Sequence, residues 1–170
     1  NKKKISKIRL EINKAFKPFF LQINKQNNYF VHRDFHLENL IMTKKGIAMI
    51  DTQDAVVGHQ AYDLAPLIDD VRIRISEKEQ NKIFQYYLKK NKQLDKNFIR
   101  DYHILTIQRL LKILGIFLRL YRRDNKKKYL KYLSNTWKLI DKRMKHPDLI
   151  HIKKVFKKYF DKKMKTKRWN

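Results

Sequence analysis

Two short apolar runs, NLIM (39–42) and GIAMI (46–50), flank TKKG (43–46), and each outer end of this unit carries a dense polar cluster. Few folds accommodate that pattern. A turn ending in glycine between apolar runs predicts a β-hairpin, and a tight antiparallel hairpin brings its outer ends together. HRDFHLEN (32–39) precedes the hairpin and DTQD (51–54) follows it. Asp34, Asn39 and Asp51 are therefore expected to converge on one edge. Apolar residues on both sides of FVHRDFHLENLIM (30–42) hold this polar segment within the fold. Burial there costs free energy unless each group has a partner or a task.

The rest of the chain reads as helix. Ile5, Ile8, Ile12, Phe16, Phe19 and Ile23 recur at three- and four-residue steps, which predicts an amphipathic helix over 3–25. Pro18 is expected to kink or shorten it. YFV (29–31) is a further short apolar run, and the chain reads as irregular from Asp51 through Gly58. Residues 61–75 read as a short helix broken near Pro66. Ser76 and Glu79 have the form of a capping box for a helix over 77–89. Helical patterns follow over 96–122, 126–143 and 148–162. With no internal repeat or linker, the expectation is one mostly α domain, 1–170, with a small β-hairpin.

Composition narrows the class. The chain of 170 residues is 42% hydrophobic and 12% aromatic, enough to bury a core. It has no cysteine, which excludes disulfides and thiolate metal sites and fits a reducing compartment. The N-terminus has no signal-peptide core. Residues 104–121 are apolar but interrupted by Arg109, Lys112 and Arg119, so a buried helix is expected there, not a membrane span. A cytoplasmic location is the expectation. The formal net charge of +26 would suit nucleic acid, but lysine and arginine are spread over nearly every segment. Only 153–169 (KKVFKKYFDKKMKTKRW) forms a basic cluster, read first as a solvated helix end and second as an anion-binding arm.

Two carboxylates and an amide oxygen form a hard-oxygen set suited to Mg²⁺, which binds through one or two carboxylates plus phosphate oxygens. A carboxylate left off the metal can accept a proton from an alcohol. Together these supply a base, metal ligands and positioned phosphates for phosphoryl transfer.

The pattern H-x-D-x-x-x-x-N, here HRDFHLEN (32–39), followed after a hairpin by MID (49–51), resembles the aminoglycoside phosphotransferase and choline kinase branch of the protein-kinase-like superfamily. IDTQDAVVGHQAYDLAPLIDDVR (50–72) is similar to the bacterial family that includes kinases of the anomeric hydroxyl of N-acetylmuramate and N-acetylglucosamine. The resemblance is strong over 29–75 and architectural beyond. It implies the C-terminal lobe of a protein-kinase-like (α+β) fold, with ATP as co-substrate and Mg²⁺ as cofactor. By the resemblance Asp34 is the catalytic base, and Asn39 and Asp51 hold the metal. His32 and Asp63 support the loop. His36, Gln53 and Asp54 are candidates for substrate contact or the metal's surroundings. Thr52 departs from the aromatic residue usual at its position in the family, which bears on local packing.

An isolated aspartate is more often a turn residue or ion-pair partner than a catalyst; the joint placement of Asp34, Asn39 and Asp51 reverses that expectation. His32 and His36 lack a third ligand, so zinc is not expected. Glu38 reads as solvated, and Asp69 and Asp70 as caps or partners of Arg72 and Arg74. His59, His103, His146 and His151 read as ordinary residues.

Glycines stand only at 46, 58 and 115, so no glycine-rich phosphate loop is present, nor a strand lysine of the Val-Ala-Ile-Lys kind. The chain begins one helix before the loop and with Asn1. It reads as a C-terminal lobe without its nucleotide-binding lobe, and 170 residues alone are expected to show little kinase activity. The expected function is ATP-dependent phosphorylation of a hydroxyl on a small molecule, an amino sugar first, without membrane or nucleic acid. An inactive kinase-like binding module and a basic nucleic-acid binder are the alternatives.

Overall fold

The computed structural model describes residues 2–166; the last residues of the basic cluster, 167–169, lie outside them. The elements in order are α1 (Lys2–Ile23), β1 (Tyr29–Val31), β2 (Leu40–Thr43), β3 (Gly46–Met49), β4 (Val56–Gly58) and α2 (Ala61–Ile68). Then come α3 (Glu77–Lys90), α4 (Phe98–Asp124), α5 (Leu133–Arg143), α6 (Ile150–Tyr159) and α7 (Lys162–Thr166). The fold is mostly α with two small antiparallel strand pairs. The chain divides into two compact units, one formed by Ile23–Thr106, the other by 2–22 with 107–166.

In the unit Ile23–Thr106 the expected hairpin is present. β2 and β3 pair in the register Leu40↔Met49 to Thr43↔Gly46. Only Lys44 and Lys45 form the loop, and Gly46 takes φ 118°, a value that favours glycine. Thr43 Oγ1 donates to Gly46 O at 2.7 Å and accepts from Lys45 N at 3.2 Å, which closes the turn with its own side chain.

β4 was not expected from the sequence. Val56–Gly58 pairs with β1, from Tyr29↔Gly58 to Val31↔Val56. Three residues with no alternating pattern carry too little periodicity to separate strand from loop. At Gly58 a Cβ would stand 3.1 Å from Val31 Cγ2, so the glycine permits close approach of the two strands.

α2 ends at Ile68, with Asp69 N donating to Ala65 O at 2.8 Å, so residues 69–75 are not helical. Pro66 lies inside α2 and Pro18 inside α1 without ending either. The capping box at Ser76 is complete: Ser76 Oγ accepts from Glu79 N at 3.2 Å, and Ser76 N donates to Glu79 Oε2 at 3.0 Å. Phe98 is stacked between the rings of Tyr87 (5.6 Å) and His59 (6.2 Å). Tyr102, fully buried, contacts Phe84 at 4.8 Å and donates to Asp69 Oδ2 at 3.2 Å. Asp69 and Asp70 are thus buried structural acceptors; Asp70 Oδ1 takes Arg72 N at 2.7 Å.

His59, read as an ordinary residue, is buried. It is 4% exposed, with Nε2 3.2 Å from Gln26 Oε1 and 3.8 Å from the fully buried Asp101. Burial lowers the imidazole pKa more than the Asp101 carboxylate raises it. Burial likewise raises the Asp101 carboxyl, against Arg100, whose guanidinium donates to Asp101 Oδ1 at 2.8 and 2.9 Å. Because His59 has a lower pKa folded than unfolded, the unfolded chain binds the extra proton. Stability is therefore expected to fall as pH drops below about 6.5. Asp101, raised on folding, acts in the opposite sense as pH approaches the ordinary carboxylate range. Urea midpoints between pH 7.5 and 5.5 should decline, and His59→Asn should flatten the decline; an unchanged slope would remove His59 as its source.

The other unit is helical. Its buried residues include Phe16, Ile107, Leu110, Phe117, Leu133, Ile140, Leu149, Ile152 and Phe156. Residues 107–124 of α4 contribute to it. The helix ends with Asn125 in the left-handed region, φ 50°, and Lys126 N donating to Leu120 O at 3.1 Å. That closure spans seven residues, one more than the Schellman bond, and Asn is, after Gly, the residue that most readily takes the left-handed position at a helix end. The region expected as helix 126–143 is a 3₁₀ turn over Lys127–Tyr132 followed by α5. No helix among the described residues is long and apolar enough to cross a membrane.

Candidate active site

The segments 32–39 and 51–54 both lie in the unit Ile23–Thr106, each between one strand of the hairpin and one strand of the β1–β4 pair. Ile50 N donates to Asn39 O at 3.1 Å, which extends the hairpin register one step and sets Asn39 opposite Ile50. Asp51 follows directly. Asn39 and Asp51 are thus brought to the same end of the hairpin, as the sequence predicts.

Asp34 is joined to Asn39 through its main chain. Its carbonyl accepts from Asn39 Nδ2 at 2.9 Å and from His36 N at 2.9 Å. Orienting the amide nitrogen inward in this way leaves Asn39 Oδ1 without a hydrogen-bond partner among the described residues. Asp51 is exposed, and Gln53 Nε2 donates to its Oδ1 at 2.5 Å. Gln53 therefore fixes one carboxylate oxygen.

Two residues of the site adopt backbone conformations that L-residues rarely take. Arg33 has φ 73° and Asp51 φ 66°, at a cost of order 1–3 kcal/mol each. The surroundings hold both. Asp63, in the first turn of α2, accepts His32 N on Oδ2 at 2.6 Å and Arg33 N on Oδ1 at 3.0 Å. Arg33 Nη1 donates to Asp54 O at 3.2 Å, tying the two polar segments together. His32, 1% exposed, has Nε2 2.8 Å from Ile50 O. Its Nδ1 is buried with no partner among the described residues. The tautomer protonated at Nε2 leaves only an acceptor unmatched and makes the bond to Ile50. Thr52 O accepts Ala55 N at 3.0 Å, so the position where the family usually has an aromatic residue closes a turn with its main chain.

Asp63→Asn replaces one acceptor by a donor and leaves one loop N–H unmatched. Given the usual worth of a hydrogen bond to a charged group, the loss should be about 1.5–3 kcal/mol, read as a lower urea midpoint. No change would mean that the clamp contributes nothing to folding.

His36 is half-buried, with Nδ1 3.8 Å from Glu38 Oε2, which lies 3.7 Å from Arg72 Nη1. These separations exceed hydrogen-bond length, and Glu38 is 64% exposed, so the line of charges contributes little to stability. Gln53 and Asp54 are exposed beside Asp51. Among the described residues no three His, Cys, Asp or Glu side chains form a metal-binding group. A hard cation would rest on the Asn39 amide oxygen and the Asp51 carboxylate, completed by phosphate oxygens and water. That is a fitting donor set for Mg²⁺, which usually keeps only one or two protein carboxylates. The sequence did not reveal the Ile50 carbonyl or the left-handed Arg33 and Asp51, since main-chain contacts carry no residue signature.

The model of the phosphotransferase enzyme family matches residues 8–102, a span that includes every residue of the site, and the chain belongs to that family. Among curated proteins it is similar to three N-acetylmuramate/N-acetylglucosamine kinases. That of Caulobacter vibrioides is 36% identical over 136 residues, covering 76% of this chain and 38% of the relative. That of Neisseria meningitidis is 36% identical over 111 residues, 61% of this chain and 33% of the relative. That of Pseudomonas aeruginosa is 32% identical over 113 residues, 62% and 33%. The chain thus spans little more than a third of the length of the curated relatives it matches.

Proposed function

We propose that this chain forms the acceptor-activating and cation-binding part of an ATP-dependent small-molecule kinase, with an amino sugar as acceptor. The observation that carries the reading is the pair of left-handed residues, Arg33 and Asp51, in two segments joined by Arg33 to Asp54 and by His32 to Ile50. Strain of this kind persists where surrounding structure over-determines it, and such places are characteristically functional. The choice of amino sugar rests on the names of the relatives.

In this reading Asp34 accepts the proton of the attacking hydroxyl as its oxygen bonds to the γ-phosphorus of ATP. The bond from that phosphorus to the bridging oxygen breaks, and ADP leaves. Asn39 Oδ1 and the Asp51 carboxylate would hold Mg²⁺, which when bound neutralises charge on the phosphates. Gln53 keeps the Asp51 carboxylate oriented, and Asp63 and His32 fix the loop's main chain. Residues 1–170 are proposed as one catalytic lobe, the β- and γ-phosphates being cradled by polypeptide outside it. Exposed Ile41, Met42 and Ile47 on the hairpin offer an apolar surface for a nucleotide base or for that further polypeptide.

The test is ADP release with Mg-ATP and either N-acetylglucosamine or N-acetylmuramate, run on this chain and on the full-length protein encoded with it. The full-length protein should release ADP only with the sugar present, at about 1–100 s⁻¹ as is ordinary for kinases, and yield the sugar phosphate. Mg-ATP binding with no transfer to any hydroxyl acceptor would instead favour a binding module.

A further inference from the structure

The unit formed by 2–22 and 107–166 contains a cavity of about 500 Å³ between α5, α6 and α7. Its size falls in the range of small-ligand sites. The floor is apolar and aromatic: Met144, Phe156 and Phe160 line it. Phe156 and Phe160 contact each other at 5.1 Å, and Phe160 packs on Trp137 at 5.3 Å. Its walls are cationic. Five lysines line the cavity against two aspartates, Asp141 and Asp161.

Both aspartates are already engaged. Asp141 Oδ1 pairs with Lys165 Nζ at 2.6 Å, and Asp161 Oδ1 accepts Met164 N at 2.7 Å. The same contacts fasten α7 as a wall, with Lys165 Nζ also 5.3 Å from the centre of the Trp137 ring. Lys145, Lys153, Lys157 and Lys162 remain, and none of them forms an ion pair among the described residues. The pattern is built into α6 and its end: Lys153, Phe156 and Lys157 stand at i, i+3 and i+4 on one helix face, and Phe160 follows directly after the helix. Four mutually repelling ammonium groups leave uncompensated charge around a floor in which Phe156 and Met144 are buried and Phe160 keeps partial exposure.

We infer that this cavity is a binding site for a small amphipathic anion, a carboxylate, sulfonate or phosphate carrying an acyl or aromatic body. The head pairs with the lysine rim, and the body lies on Phe160 and the alkyl stems of the lysines, over the buried Phe156 and Met144. This occupant answers both halves of the lining. A purely inorganic anion leaves the exposed part of Phe160 in water, and an uncharged apolar molecule leaves the lysines uncompensated. The site does not depend on the phosphotransfer reading, since none of its residues belongs to the segments 32–63.

The probe is anilinonaphthalene sulfonate, whose fluorescence rises in an apolar site, titrated into the protein at low salt and displaced by decanoate or decanol. Expected are saturable binding of one probe per chain, displacement by decanoate well before decanol, and weakening with salt. Lys153→Ala with Lys157→Ala should weaken the probe by about tenfold or more. Lys3→Ala with Lys4→Ala, the same charge loss on α1, should leave it unchanged. Circular dichroism and the thermal midpoint of each double variant establish that it is folded. Several probes per chain, equal displacement by decanol, or equal weakening in both double variants would overturn the inference. So would preference of the protein for vesicles of anionic lipid over soluble decanoate, in a manner indifferent to Lys153 and Lys157.

Discussion

Asp34→Asn in the full-length protein is expected to lower kcat by about 10²–10⁴-fold, the usual contribution of a positioned general base. The affinity for Mg-ATP should stay nearly unchanged. The substitution keeps the size of the side chain, and Asp34's contacts to His36 and Asn39 run through its main-chain carbonyl, so the loop is retained. What is lost is the oxygen that takes the proton in the proposed reading. Rapid mixing of enzyme, Mg-ATP and acceptor separates transfer from product release and reads the loss directly. Normal turnover in Asp34→Asn would remove the base assignment.

Asp51→Asn is expected to fail at the other end of the reaction. In the proposed reading Asp51 contacts the cation, and replacing its carboxylate removes charge from that site. Changes even one shell further out typically cost about 10–100-fold in metal affinity or activity, so Mg-ATP binding should weaken by at least that order. Raised Mg²⁺ should recover part of the activity of Asp51→Asn and none of that of Asp34→Asn. The opposite outcome, rescue of Asp34→Asn by the metal, would exchange the two assignments. Gln53 bears on the same group: its amide holds Asp51 Oδ1, and the proposed reading gives the other carboxylate oxygen to the cation.

Much of this site was legible because hairpins obey simple geometry. The turn TKKG and the apolar runs beside it were enough to expect Asn39 and Asp51 at one end, and the register Leu40↔Met49 bears out that placement. The capping box at Ser76 was equally local, needing only residues three apart. β4 escaped notice because Val56 and Val57 are exposed and Gly58 has no side chain, so no burial pattern marks a strand whose pairing with β1 is non-local. The pairing of His59 with Asp101 escaped for a related reason: they meet across more than forty positions. The helix read as broken near Pro66 ends two residues beyond it, at Ile68, and Pro18 lies inside α1 without ending it early. A proline inside a helix removes one hydrogen bond, and tertiary packing around Phe16 and Leu64, both buried, outweighs that loss. Charge, the most conspicuous property of the composition, was the least informative about the site, since it is dispersed over both units. Along α6 and Phe160 it combines with aromatic residues around one cavity.

Paramagnetic broadening in the ¹⁵N-labelled full-length protein, with Mn²⁺ replacing Mg²⁺ beside ATP, tests most directly whether the two polar segments form a single cation and nucleotide site. The account predicts that the Asn39 side-chain amide and the main-chain amides of Asp34 and Asp51 broaden together at the lowest Mn-ATP additions, and that Asp51→Asn removes the effect. Broadening centred elsewhere, with these three signals unaffected at saturation, would contradict it.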